Sequence, residues 1–283
     1  MPAVRIITVS RTTATEEAFA TRLAEEFEAL ILKEKPDTVA AFIAEPVMGA
    51  GGVIVPPRTY FQKIMAVCAR YDLFVISDEV ICGFGRLGTV FGCEKLNFKP
   101  QAISVAKALS SAYLPIGAVM IPELMYEALL AESNKIGTFG HGFTYGGHPV
   151  SAAVAVKAIE IYARERIIEK GAERAPLFQA RLNALGDHPL VGEARGLGLI
   201  GGVELVADKA SKRSFNAQHG VGAAAVRFAE REGLMVRSVA GDVLTLSPPI
   251  VIKAPQIEEL FNRLTRALDK TLDWVTREGL TQP

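Results

Sequence analysis

The stretch LFVISDEVICGFGRLG, residues 73–88, allows few folds. Leu73 to Ser77 suit a buried strand, Asp78 and Glu79 follow with no intervening turn, and a glycine-studded bend comes next. Two carboxylates at the lip of an apolar strand must face positive charge, because an unpaired buried carboxylate costs more than the burial of a short strand offsets. A strand of this kind belongs in a sheet covered by helices, with its polar end opening into a crevice.

The surrounding pattern agrees. Thr13-x-x-Glu16 forms a capping box ahead of Phe19, Leu23, Phe27, Leu30 and Ile31 at helical spacing. Residues 39–46, VAAFIAEP, read as a short strand ended by proline, and 58–71 read as a helix. Strands follow at 73–77, 102–107 and 116–121, then a long helix from 150. Beyond it, strands are expected near 197–206, 234–238 and 243–247, and an amphipathic helix from 255 to 276. Strands separated by helices predict an α/β fold, a mostly parallel sheet with helices on both faces, plus a smaller C-terminal α/β domain. The division is placed at 1–169, including the long connecting helix, and 170–283.

With 283 residues, 49% of them hydrophobic, the chain can bury a sizeable core. Lys plus Arg equal Asp plus Glu at 31 each, so no net field favours nucleic acid or an anionic membrane. Small neutral or zwitterionic ligands fit better. Cys68, Cys82 and Cys93 show no CxxC spacing, which predicts a reducing compartment and no metal centre. The opening MPAVRIITVS lacks the apolar core of a signal peptide, and no apolar run is long enough to span a bilayer. A cytoplasmic protein is expected.

Ligands of open parallel sheets sit beyond the carboxyl ends of the strands. Asp78 closes one strand and Lys107 the next, so a right-handed crossover brings acid and amine into one crevice. From spacing alone two readings stay open, a small-molecule site or a structural salt bridge. Three other patterns carry less. The apolar-strand-then-Asp-Glu pattern of a P-loop ATPase has no GxxxxGK[ST] to accompany it. GLGLIG, 196–201, matches GxGxxG but leads into a strand, so it reads as a turn. His141 and His148 flank GFTYGG without any carboxylate cluster, and read as loop residues.

Five segments in order, AFIAEPVMGAGGVIVPP, ISDEVICGFGR, SVAKALSSAYLPIGAV, HGFTYGGHP and PLVGEARGLGLIGGVEL, resemble the class III pyridoxal-phosphate aminotransferases of fold type I. The omega-amino acid:pyruvate branch is the nearest in pattern. The resemblance runs from about residue 15 to the C-terminus. It implies pyridoxal 5'-phosphate as cofactor and transfer of an amino group from an omega-amino acid or amine to a keto acid such as pyruvate. It implies that Asp78 accepts a hydrogen bond from the protonated pyridine nitrogen and that Val80 presses on one ring face. Lys107 becomes the covalent tether and the proton shuttle. Glu79 has no comparable role and reads as a structural partner.

By the same resemblance Thr144 reaches across a homodimer interface to the neighbouring subunit's phosphate; by itself it also fits a loop hydroxyl bonded to its own backbone. Arg237 matches the mobile arginine that grips a substrate carboxylate, although an isolated arginine is ordinarily a solvated charge. Ornithine-like branches carry an arginine just before the Pro-Pro pair, where this chain has Thr245. Leu87, Ala112 and Gly146 depart from the residues usual in the family without removing a reacting group. The family's N-terminal Gly-Ser phosphate turn and ring-stacking aromatic have no counterpart here. The chain is therefore expected to resemble the C-terminal part of such an enzyme, either catalytically impaired alone or a non-catalytic binding or oligomerising remnant.

Overall fold

The computed structural model describes residues 15–281. Helix α1 (Glu16–Glu34) is capped by Thr15, whose Oγ1 accepts from the Ala18 amide at 3.1 Å, with Glu16 and Glu17 in the first turn. The expected capping box is corrected accordingly: its Thr13 lies outside the described residues, and Glu16 is the first helical residue. Strand β1 (Ala41–Ala44), helix α2 (Tyr60–Arg70) and strand β2 (Phe74–Asp78) follow, then the short helix α3 (Gly92–Lys95) and strand β3 (Ala102–Val105). Phe19, Ala20, Ala24 and Ile31 form the buried stripe of α1, and Ile64, Val67 and Cys68 that of α2; both meet Val75 of β2. Glu16, Glu17 and Glu28 of α1 pair with Arg58, Lys63 and Arg70, fixing how α1 lies along α2.

After β3 come a 3₁₀ turn (Lys107–Ser110), strand β4 (Ala118–Met120) and helices α4 (Glu123–Ile136) and α5 (Pro149–Arg164). The first sheet has the order β1-β2-β3-β4, with three parallel strands and β4 antiparallel to β3. It is mostly parallel, as the alternation of elements predicts. Arg166, in the left-handed region at φ 52°, ends the long helix and starts α6 (Ile167–Ala184).

Strands β5 (Val191–Leu197) and β6 (Ile200–Leu205), helix α7 (Val221–Arg231), strands β7 (Arg237–Val239) and β8 (Val243–Leu246) and helix α8 (Ala254–Arg277) complete the chain. The second sheet is wholly antiparallel in the order β5-β6-β8-β7. Its core joins Phe178 and Leu182 of α6, Ile257, Phe261, Leu264 and Leu268 of α8, and Val203, Leu205 and Leu244. The strand expected over 197–206 is β6, entered through the turn read at GLGLIG, and β5, which pairs with it as a hairpin, is a further strand the periodicity did not show, because its residues are mostly half-buried.

Gly198 explains the GLGLIG segment. It turns the β5–β6 hairpin at φ 63°, and a Cβ there would lie 2.5 Å from both the Arg86 carbonyl oxygen and Leu87 Cα. Its bareness lets the hairpin touch the loop after β2.

Two arginines join the sheets. Arg195 on β5 donates to the Gly52 carbonyl at 2.7 Å and to Val53, while pairing with Glu204 at 2.6 Å and Glu193 at 3.2 Å. Arg86 donates to the carbonyls of Leu199 at 2.9 Å and Pro248 at 2.7 Å. Val47, Val53, Cys82, Leu87 and Ile200 pack between them.

Candidate active site

Strands β1, β2 and β3 are parallel neighbours, so their carboxyl ends lie side by side. They deliver Glu45, Asp78 and Lys107 to one edge. Asp78 is half-buried, and its Oδ1 accepts from the Val80 amide at 3.1 Å and from Ser104 Oγ at 3.2 Å. These two bonds aim the carboxylate from the end of β2. Beside this edge a cavity of about 1220 Å³ opens between the two sheets. Val80, Arg86, Lys107, Tyr162, Arg237 and Thr245 contribute to its wall.

Lys107 is exposed, and its side chain makes no hydrogen bond or ion pair within the described residues, while its carbonyl accepts from the Ala112 amide at 3.2 Å. It sits at φ 48°, with Ser111 at 52° and Ala112 at 61°. Left-handed conformations of residues other than glycine cost about 1–3 kcal/mol each and persist where packing over-determines them, as at active sites.

Glu79, as expected, is a structural partner. Its fully buried carboxylate accepts from the amides of Gly92 at 2.7 Å and Cys93 at 2.8 Å and from Ser77 Oγ at 2.9 Å. The two carboxylates at the lip therefore have opposite fates. Glu79 turns inward to the start of α3, and Asp78 stays at the crevice.

Glu45 went unnoticed in the sequence, although AFIAEP carries the same signal as FVISDE, an apolar strand ending in a carboxylate. Its Oε2 accepts from the Gly49 amide at 2.9 Å. Burial pushes the Glu45 carboxyl above its usual range and the charge of Asp78 adds to this, against the Gly49 bond and the charge of Lys107. Asp78 and Lys107 thus both lie within electrostatic reach of Glu45. Arg86 was missed too; burial lowers its guanidinium to about 10.

Arg237 begins β7 and is paired in register with Thr245 of β8, both on the cavity wall. Thr144 does not join this group. It lies in the exposed 138–148 segment, where Phe139, Phe143 and Tyr145 are 55%, 80% and 81% exposed. Among the described residues no cluster of His, Cys, Asp or Glu suits a metal, and His141 and His148 are exposed loop residues. The three thiols are buried; burial pushes Cys82 up to about 12, and its sulfur bonds the Val47 backbone.

The neighbouring strand stops at Val105, short of the expected 107, so Lys107 opens the turn beyond it. A carboxylate at the end of the central parallel strand, a lysine with an unpaired side chain just past its neighbour and a cavity between two lobes can hold a cationic ring and tether an aldehyde. The family model of aminotransferase class-III matches residues 1–268. The chain belongs to the class III aminotransferases. It is 53% identical over 257 residues to gamma aminobutyrate transaminase 3, chloroplastic, of Solanum lycopersicum, covering 91% of this chain and 49% of that protein. It is 51% identical to gamma aminobutyrate transaminase 1, mitochondrial, of the same plant, with 91% and 50% covered. Among solved structures, the omega transaminase of Pseudomonas jessenii in complex with PMP superposes with a TM-score of 0.92 at 44% identity, covering 96% of this chain and 60% of that one.

The chain thus spans about half the length of the curated relatives it matches. The family works with pyridoxal 5'-phosphate, and the residues present fit that group: Asp78 for a ring nitrogen, Val80 for a ring face and Lys107 for an aldehyde. The cytoplasmic expectation is corrected, since these relatives are named as chloroplastic and mitochondrial proteins.

Proposed function

We propose that this chain carries the cofactor-tethering half of an aminotransferase that moves an amino group from an omega-amino acid or amine to a keto acid such as pyruvate. The observation that carries the reading is the convergence of Val80, Lys107 and Arg237 on one cavity wall, beside Asp78 at the end of β2. When bound, pyridoxal phosphate supplies an electron sink for charge developing at the substrate carbon. Asp78 would accept a hydrogen bond from the ring nitrogen, worth about 1.5–3 kcal/mol, and would keep it protonated. Val80 would pack against one face of the ring. Lys107 would hold the aldehyde carbon covalently until the incoming substrate amine displaced it, and its freed amine would then carry the proton to and from the reacting carbon.

Arg237 binds a substrate carboxylate as a planar fork and swings aside when the substrate has none. Its exposed position on a short strand supports that freedom. The names of the relatives, gamma aminobutyrate transaminases, support an omega-amino acid as donor. Thr144 serves the phosphate site of a second copy in a homodimer, a reading supported by the exposed aromatics around it. Residues 1–169 serve as the cofactor-binding domain with the long connecting helix, and 170–283 as the smaller C-terminal domain.

Reductive labelling with pyridoxal phosphate and borohydride, followed by peptide mapping, tests the assignment. Label concentrated at Lys107 is the expected result, and label spread over surface lysines overturns it. Alanine formation from pyruvate with a panel of omega-amino acids and amines then reads the substrate class. The variant Asp78→Asn keeps the label and loses transfer.

A further inference from the structure

Tyr162 lies on α5 and contributes to the cavity wall without a role assigned so far, and it is buried at 9% exposure. Its Oη donates to the Ala108 carbonyl at 2.6 Å and lies 2.9 Å from Ser111 Oγ. A phenol has one hydrogen, and the Ala108 oxygen takes it, so the Ser111 hydroxyl donates to Tyr162. One side-chain oxygen on α5 therefore ties down both sides of the turn that follows Lys107.

That turn needs holding. Lys107, Ser111 and Ala112 all occupy the left-handed region, a conformation these residues do not choose unaided. Its inner side is fixed by packing, with Val105 and Leu109 against Ala155, Ala158 and Tyr162, and by Ser110 Oγ donating to the Leu114 carbonyl at 2.6 Å. On its outer side, where Ser111 and Ala112 are exposed, the Ser111 amide donates to the Ala108 carbonyl at 3.1 Å and the Ala112 amide to the Lys107 carbonyl at 3.2 Å, and Tyr162 adds the side-chain bonds that tie this turn to α5. The Phe84 ring, 6.3 Å from the Tyr162 ring, sets the phenol in place.

We infer that Tyr162 is a positioning residue for Lys107: its hydroxyl clamps Ala108 and Ser111 and so fixes the direction in which the lysine enters the cavity. The inference rests on the proposed role of Lys107 only for its consequence in cofactor chemistry. The clamp itself stands on the two hydrogen bonds. Tyr162→Phe keeps the ring and its packing and removes both bonds. Ser111→Ala removes one bond at an exposed site.

The test compares the full chain with these two variants by amide hydrogen exchange, by the initial rate of pyridoxal phosphate labelling at Lys107, and by melting temperature. In Tyr162→Phe, exchange at the amides of Leu109, Ser111, Ala112 and Tyr113 rises about tenfold while other amides hold. Labelling of Lys107 falls about tenfold relative to surface lysines, and Ser111→Ala shows a smaller change in the same direction. Unchanged exchange at these four amides overturns the clamp, and faster exchange with unchanged labelling overturns the positioning. If Tyr162→Phe loosens the whole protein, Ser111→Ala decides, and unaltered exchange in its turn overturns the inference. Wild-type protein that takes no label at Lys107 counts against the proposed function, while the exchange measurement still decides the clamp.

Discussion

Arg237 and Thr245 stand opposite each other in the β7–β8 register, with Thr245 Oγ1 donating to the Arg237 carbonyl at 3.2 Å. Both line the cavity. On the proposed reading, position 237, taken for carboxylate binding, and position 245, where ornithine-like branches are expected to carry an arginine, share one patch of wall supplied by adjacent strands. Cross-strand neighbours lie about 4.5–5.5 Å apart at Cβ, within the reach of one guanidinium.

Arg237→Ala lowers kcat/KM for an omega-amino acid donor by about 10- to 100-fold, the loss of one charge-assisted bidentate contact. A donor amine without a carboxylate keeps its rate within roughly twofold. Steady-state kinetics with the two donor types reads the difference; equal losses for both remove Arg237 from carboxylate recognition. The double variant Arg237→Thr with Thr245→Arg regains part of the preference.

Glu79→Ala leaves the Gly92 and Cys93 amides and the Ser77 hydroxyl buried without their acceptor. At about 1–3 kcal/mol for an unsatisfied buried group, the variant loses several kcal/mol of stability. Urea denaturation measures it. A midpoint equal to wild type contradicts the structural role.

Glu45 gives a pH dependence of definite sign. Its folded pKa is raised, mainly by burial, so between the unfolded and folded values the native state binds more protons and stability falls as pH rises. Glu45→Gln keeps an acceptor for the Gly49 amide and removes the ionisation. The variant therefore gains stability over wild type at about pH 8, and the gain shrinks below roughly pH 4, where the unfolded-state carboxyl is protonated too. Chemical denaturation at both pH values tests this, and a gain independent of pH refutes the assigned cause.

Gly198→Ala places a methyl group 2.5 Å from the Arg86 carbonyl and Leu87 Cα, with φ at 63°. The hairpin must back away from the loop after β2, which weakens the bonds from Arg86 to Leu199 and Pro248. A fall in melting temperature of several degrees is expected, with faster proteolysis between the two sheets.

Cys68, Cys82 and Cys93 are all buried, and burial raises each thiol, Cys68 to about 11 and Cys82 and Cys93 to about 12. Native protein at pH 8 therefore reacts with none of the three, and urea exposes all of them to iodoacetamide. Labelling of one thiol in native protein contradicts its burial.

The alternation of apolar strands with amphipathic helices determined the α/β class, and carboxylate or lysine at strand ends marked Asp78 and Lys107, because periodicity and strand polarity are local properties. What each group meets was decided in three dimensions. Glu79 finds the Gly92 and Cys93 amides, and the Lys107 turn finds Tyr162 fifty-four residues beyond Ala108. Backbone amides and carbonyls look the same at every position in a sequence, so no pattern reveals which of them will accept a distant side chain. The turn between β5 and β6 was legible, but what it packs against was hidden for a related reason: Gly198 is read as any turn glycine until Arg86 and Leu87 are brought within 2.5 Å of the place where its Cβ would stand. Contacts of this range form only when the sheets pack, and packing chose between two equivalent carboxylates, turning Glu79 inward and leaving Asp78 at the crevice.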